Sequence, residues 1–207
     1  MASRQIDRDE LLRSERQLRA EGFCWIAGVD EAGRGPLAGP VVAAAVILPQ
    51  SEMIAGINDS KRLSEKRREA LYEEIIQKAV SFSIQSVDEE EIDRINILQA
   101  TRLAMRRAVE ALSPAPLLTL IDAVTLGGIG EERAIIKGDA TSYHIAAASV
   151  LAKVWRDRYM VALHEQYPEY GFDKHKGYGT KAHMDALREF GPSPIHRKKF
   201  IRFLDEQ

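Results

Sequence analysis

Two apolar runs in this chain each end on a carboxylate, and that pairing constrains the fold more than any other feature. Trp25, Ile26, Ala27, Gly28 and Val29 lead into Asp30-Glu31, and Leu117-Leu118-Thr119-Leu120-Ile121 leads into Asp122. Apolar runs this short suit buried strands, and strands covered on both faces need helices between them. The spacing supplies those helices. The expected class is therefore α/β, a layered domain whose acids collect at one end of the sheet.

A pass along the chain fills in the elements. Asp7 to Ala20 carries Leu11, Leu12 and Leu18 at helical spacing and stops at Gly22. Phe23 to Asp30 is a strand, and Gly39 to Leu48 is a second, halted by Pro49. Ser64 is placed to cap a helix running to about Ala79. Val80 to Val87 alternates apolar and polar residues as a half-buried strand does, and about Ile97 to Leu112 is helical. Leu117 to Asp122 and Ala134 to Lys137 are strands, Thr141 to about Gln166 is a long helix, and about Lys181 to Phe190 a short one. No linker divides the chain. We expect an N-terminal helix in residues 1–22, a catalytic domain in 23–170 and a basic segment in 171–207 packed upon it.

Charge matters through its distribution. The net charge is −2, yet residues 171–203 hold eight Lys or Arg against three acids, a net of +5. A basic end on an acidic body can steer a polyanion. The single cysteine, Cys24, excludes an internal disulfide and fits a reducing cytoplasm; it is expected as a small core residue. No signal-like apolar stretch opens the chain, and no apolar run reaches membrane-spanning length.

Asp30, Glu31, Asp122 and Asp139 all fall at or just after strand ends. Clustered carboxylates repel unless a hard cation neutralises them, and all-oxygen donors suit Mg²⁺ or Mn²⁺. Four converging acids would form a two-metal site for phosphodiester hydrolysis. Strand neighbours point to opposite faces, so Asp30 and Glu31 can share a site only where the strand ends or bulges. Gly33-Arg34-Gly35 directly after them brings bare backbone N–H groups and a guanidinium towards an anion. The five histidines lack zinc spacing with cysteine, His175 and His196 are expected at the surface, and Asp157 suits an ion pair on the long helix.

Several blocks together resemble the ribonuclease HII family: Gly28-Val29-Asp30-Glu31-Ala32-Gly33-Arg34-Gly35-Pro36-Leu37-Ala38-Gly39-Pro40-Val41, Asn58-Asp59-Ser60-Lys61, Leu120-Ile121-Asp122, Lys137-Gly138-Asp139, Ala152-Lys153-Val154-Trp155-Arg156-Asp157, His175-Lys176-Gly177-Tyr178-Gly179-Thr180 and Gly191-Pro192-Ser193-Pro194-Ile195-His196-Arg197. They follow the family's order over nearly the whole chain. The single helix before the first strand and the Lys-Gly-Asp setting of the fourth acid resemble this type more than ribonuclease HIII.

The resemblance implies a ribonuclease H-like fold, a mixed five-stranded sheet flanked by helices, with a helical C-terminal subdomain. It implies an endonuclease that cuts the RNA strand of RNA–DNA hybrids and cuts 5′ of single ribonucleotides in duplex DNA, leaving 5′-phosphate and 3′-hydroxyl ends. By the same resemblance Asp30, Glu31, Asp122 and Asp139 bind two Mn²⁺ or Mg²⁺ ions. Gly33, Arg34 and Gly35 would sense the 2′-hydroxyl, Tyr178 the ribonucleotide–deoxyribonucleotide junction, and Ser60 and Lys61 phosphate. A cytoplasmic monomer is expected. A sliding-clamp contact is left open, with Phe200-Ile201-Arg202-Phe203-Leu204 better suited to packing than to anchoring. A DNA-junction resolvase and a non-catalytic nucleic-acid-binding module are the rival readings.

Overall fold

The structure, a computed structural model, describes residues 15–49, 53–58, 60–122 and 124–204. Its centre is a five-stranded sheet of β1 (Ile26–Ala32), β2 (Val41–Ile47), β3 (Ser81–Val87), β4 (Leu118–Asp122) and β5 (Glu132–Ile135) in the order β3-β2-β1-β4-β5. β3, β2 and β1 pair antiparallel, while β1, β4 and β5 run parallel, so the sheet is mixed as expected. Its helices are α1 (Glu65–Lys78), α2 (Glu89–Ile95), α3 (Ile97–Glu110), α4 (Gly138–Thr141), α5 (Tyr143–Gln166), α6 (Phe172–His175) and α7 (Lys181–Phe190).

All of β2 is buried because both faces are covered. Val42, Ala44 and Val46 pack against α1 and α5, while Val41, Ala43, Ala45 and Ile47 pack against α3. Small side chains on both sides let the layers close. A Cβ at Gly28 of β1 would lie 2.1 Å from the His144 carbonyl carbon, so α5 rides directly on the strand that carries Asp30. A third cluster of Ala38, Met160, Leu163, Tyr170, Phe172, Leu187 and Ile201 ties the C-terminal segment to the far end of α5.

Residues 15–20 are helical, and the rest of the expected first helix lies outside the described residues. Glu15 is buried and accepts from the His144 N–H (3.0 Å) and the Ser142 hydroxyl (3.2 Å), pinning this segment to the start of α5. Ser64 caps α1 as expected, accepting from Arg67 N–H. α2 was not anticipated: its apolar stripe is only Ile92, buried, and Ile95, half-buried, too short to read as helical, and it forms with the Asp88 cap on Glu91 N–H. On β3, Ser83 is buried and Phe82 is 38% exposed, the reverse of the expected alternation. Ser83 pairs with Ala45, which faces α3; on the other face Ile84 packs partly against the α1–α5 side while Phe82 remains exposed. Cys24 is exposed rather than in the core, because it precedes β1 in the turn after residues 15–20.

Candidate active site

The parallel pairing of β1 with β4 places the first two acids. It ends at Val29↔Ile121, so Asp30 and Asp122 follow side by side where the ladder stops. β1 itself neither ends nor bulges there; it stays paired with β2 through Ala32↔Val42. The opening that lets both Asp30 and Glu31 reach one cleft therefore lies on the β4 side. Asp139 sits at the start of α4, and the Gly138 N–H donates to Asp122 Oδ1 at 2.7 Å, joining the two remaining acid-bearing segments.

The electrostatics show that Asp30 senses the other three acids. Burial pushes the Asp30 carboxyl well above the usual carboxylate range, and the negative charges of Glu31, Asp122 and Asp139 push it further. The Glu31 N–H, 2.8 Å from Asp30 Oδ1, partly offsets this. Glu31 is also raised by burial, with Arg34 pulling the other way from 3.4 Å. Lys61 lies 3.5 Å from Asp139. Among the described residues no three acid, histidine or cysteine side chains are drawn into a ready metal cage. Instead the Asp122 carboxylate accepts from Gly138 N–H, and Asp139 lies beside Lys61. An all-oxygen set whose most buried member is driven towards protonation by burial and then by its neighbours fits a hard divalent cation.

A cleft of about 210 Å³ opens beside them, lined by Asp30, Glu31, Ala32, Gly33, Arg34, Gly35, Ser60, Lys61, Lys153 and Tyr178. Every substrate-contact residue expected from the sequence thus falls in one place. Asp122 and Asp139 are not among its lining residues; Asp139 reaches it through its contact with Lys61. Tyr178 is 44% exposed, and its ring stands over Gly35.

The profile of the family described as Ribonuclease HII matches residues 27–203. The chain belongs to the ribonuclease HII family. Ribonuclease HII of Ruminiclostridium cellulolyticum is 54% identical over 201 residues, 96% of this chain and 79% of that protein. Among solved structures, ribonuclease H2 of Pyrococcus horikoshii OT3 superposes with a TM-score of 0.74 at 28% identity, covering 88% of this chain and 97% of that one. The RNase HII in the PCNA:RNase HII complex from Archaeoglobus fulgidus gives 0.73, also at 28% identity, with 85% and 95% covered. Family membership makes this chain a hydrolase, an endoribonuclease.

For a ribonuclease HII family member, several residues beside the site were not foreseen from sequence. Lys153 projects from α5 into the cleft, held 2.7 Å from Asp157 and 6.0 Å from the Tyr178 ring centre. Its i, i+4 spacing to Asp157 was a visible signal for the ion pair, but the cleft it faces was not. His196, expected at the surface, is buried, and so is His183, with their Nε2 atoms 2.9 Å apart. Their partners fix the protons: Ser193 N–H donates to His196 Nδ1, so His196 Nε2–H donates to His183 Nε2, and His183 Nδ1–H donates to the Tyr178 carbonyl. Burial lowers both to about 4, so both are neutral. Arg156 and Arg197 are also wholly buried. Burial lowers them to about 10 and about 9, above neutral pH, so both stay cationic.

Proposed function

We propose that this chain hydrolyses the RNA strand of RNA–DNA hybrids and cuts on the 5′ side of single ribonucleotides within duplex DNA, leaving 5′-phosphate and 3′-hydroxyl ends. The observation that carries this reading is the sharing of one cleft by Asp30 and Glu31, the Gly33-Arg34-Gly35 loop and Tyr178. Cutting group and sugar-sensing group then meet the same nucleotide.

The 2′-hydroxyl separates RNA from DNA at a given position, and a glycine-bounded loop brings backbone polar groups within its reach. The Tyr178 ring, seated over Gly35, is placed to pack on the neighbouring sugar. Arg34, Lys61 and Lys153 supply positive charge along the cleft for the phosphate backbone. Asp30, Glu31, Asp122 and Asp139 would hold Mg²⁺ or Mn²⁺, which when bound would activate the attacking water and steady the leaving oxygen. The basic segment 171–207 would serve as the accessory substrate surface. Ile201, Phe203 and Leu204 pack into the C-terminal cluster, which supports a packing role for this stretch over clamp capture.

Cleavage of three duplexes, an RNA–DNA hybrid, one with a single ribonucleotide and one all DNA, tests the proposal in Mg²⁺ and Mn²⁺. Equal cutting of the all-DNA duplex would favour a resolvase, and no metal-dependent cutting of any would leave only a binding module.

A further inference from the structure

The segment 33–40 is held from behind in an unusual way. Arg197 sends all five of its side-chain N–H groups to backbone carbonyls of this one loop: Nε and Nη2 to Gly39 (2.9 and 2.7 Å), Nη1 to Arg34 and Pro36 (both 2.9 Å), and Nη2 to Gly33 (2.6 Å). Its own backbone N–H donates to the Leu37 carbonyl at 2.9 Å. Arg156, from α5, donates to the carbonyls of Pro40 (2.9 Å) and Ala38 (3.0 Å), and to that of Lys176 (3.0 Å), two residues before Tyr178. Of the eight carbonyls in 33–40, the exception is that of Gly35, the residue under the Tyr178 ring.

A guanidinium costs much to bury, and it is usually buried against a carboxylate. Among the described residues neither arginine has an ion-pairing carboxylate; Asp157 and Glu89 act on Arg156, and Glu89 and Asp93 on Arg197, only at longer range. Simple packing would be served by apolar side chains of the same volume. Instead, two cations without an ion pair are spent on backbone carbonyls, all of which but that of Lys176 lie in this loop. With the Arg197 backbone N–H on Leu37, they fix the direction of every peptide in it but that of Gly35. With the carbonyls turned inwards, the loop's other edge is set where Gly33, Arg34 and Gly35 line the cleft. A Cβ at Gly33 would lie 2.1 Å from Arg156 Nε, so loop and guanidinium fit with no slack.

We infer that Arg197, backed by Arg156, is a positioning residue for ribose discrimination: its side-chain clamp of five hydrogen bonds on four carbonyls sets the Gly33-Arg34-Gly35 backbone against the 2′-hydroxyl. This rests on the proposed reading of that loop as the sugar sensor. Lysine at 197 would keep the charge but lose the planar fork, and so would leave most of the carbonyls without their donor.

The test compares wild type with Arg197→Lys on a duplex carrying one ribonucleotide and on the all-DNA duplex, well below each protein's melting temperature. Steady-state kinetics are combined with competition binding of the two duplexes in EDTA. Arg197→Lys is expected to lose about 10–100-fold in kcat, the scale of small misplacements near reacting groups, with KM changed less than about 3-fold. The wild-type binding preference for the ribonucleotide duplex should fall in parallel. A folded Arg197→Lys enzyme with unchanged preference and kcat would overturn the inference, because a purely structural clamp lowers melting temperature alone. If Arg197→Lys does not fold, Arg156→Lys is judged by the same two readouts. A wild-type enzyme without ribonucleotide preference would sink the sugar-sensor reading itself, and the inference with it.

Discussion

The Tyr178 ring stands over the backbone of Gly35, so that a Cβ added there would lie 3.8 Å from its Cε1. Glycine leaves the face of the loop bare and the tyrosine closes one side of the cleft. Removing the ring by Tyr178→Ala should cost roughly 1–3 kcal/mol of transition-state binding on the single-ribonucleotide duplex, the range of aromatic stacking on nucleotides. Tyr178→Phe keeps the packing face and should retain most activity. A Phe variant as poor as Ala would show that the hydroxyl, not the ring, is what matters. Gly35→Ala, with room at ordinary contact distance, should be far milder than either loss of the ring or Gly33→Ala.

The carboxylates predict opposite effects on activity and stability. Asp30 is buried among three like charges, so Asp30→Asn removes a repulsion while abolishing a cation ligand. Cleavage should fall by at least about 10³-fold, equivalent to roughly 4 kcal/mol. The melting temperature of the metal-free protein should hold or rise. Mg²⁺ or Mn²⁺ should raise the melting temperature of wild type by mass action and leave that of Asp30→Asn nearly unchanged. Thermal melts with and without metal check both; equal metal stabilisation of the two proteins would move the site elsewhere. Asp122→Asn should likewise fold and fail to cut.

His183 and His196 set an acid limit. Burial holds both at about 4, below the unfolded value of about 6.5. Between those limits the unfolded chain binds protons that the folded chain refuses. Their contribution is therefore complete above about pH 6.5 and is lost as pH falls towards 4, by up to roughly 1.4 kcal/mol per pH unit for each histidine. The same protons would break the His196–His183–Tyr178 carbonyl chain, so binding at Tyr178 should weaken with stability. Urea melts from pH 7.5 to 4.5 measure it. A midpoint that stays flat between pH 7 and 5 would contradict these buried neutral rings.

What was legible in the chain was local. β1 and β4 show as apolar runs, the Ser64 cap as a serine before a helical pattern, and the acids as strand-end residues. The residues that shape the site from a distance were not visible. Arg197 meets Gly33 across 164 positions, and nothing in Ile195-His196-Arg197-Lys198 marks its arginine as buried while its lysine is not. His183 and His196 are in the same position, polar residues in a basic stretch that face each other only after the C-terminal segment folds onto α5. α2 had a readable cap in Asp88 and Glu91, but an apolar stripe of only Ile92 and Ile95 is too short to read as helical. The four acids were found through their strands, whereas the contacts of Asp122 with Gly138 and of Asp139 with Lys61 are a matter of tertiary structure.

Gly28 provides a test of how the layers hold the site. It pairs with Val46 on one side and Leu120 on the other, two residues before Asp30. A Cβ there would meet the backbone of α5, 2.1 Å from His144 C and 2.4 Å from Ile145 N, and backbone cannot swing aside as a side chain can. Gly28→Ala should therefore destabilise the fold by about 3 kcal/mol or more, the upper range for overpacking. Gly22 is the control: its φ of +100° disfavours other residues, but nothing lies within 4 Å of its added Cβ. Gly22→Ala should cost only about 1 kcal/mol, the backbone penalty alone. Because Gly28→Ala must push β1 off α5, the surviving folded enzyme should also cut more slowly, while Gly22→Ala should cut normally. Denaturant midpoints and kcat measured on both variants check this, and a Gly28→Ala protein as stable as Gly22→Ala would refute the close packing of β1 on α5.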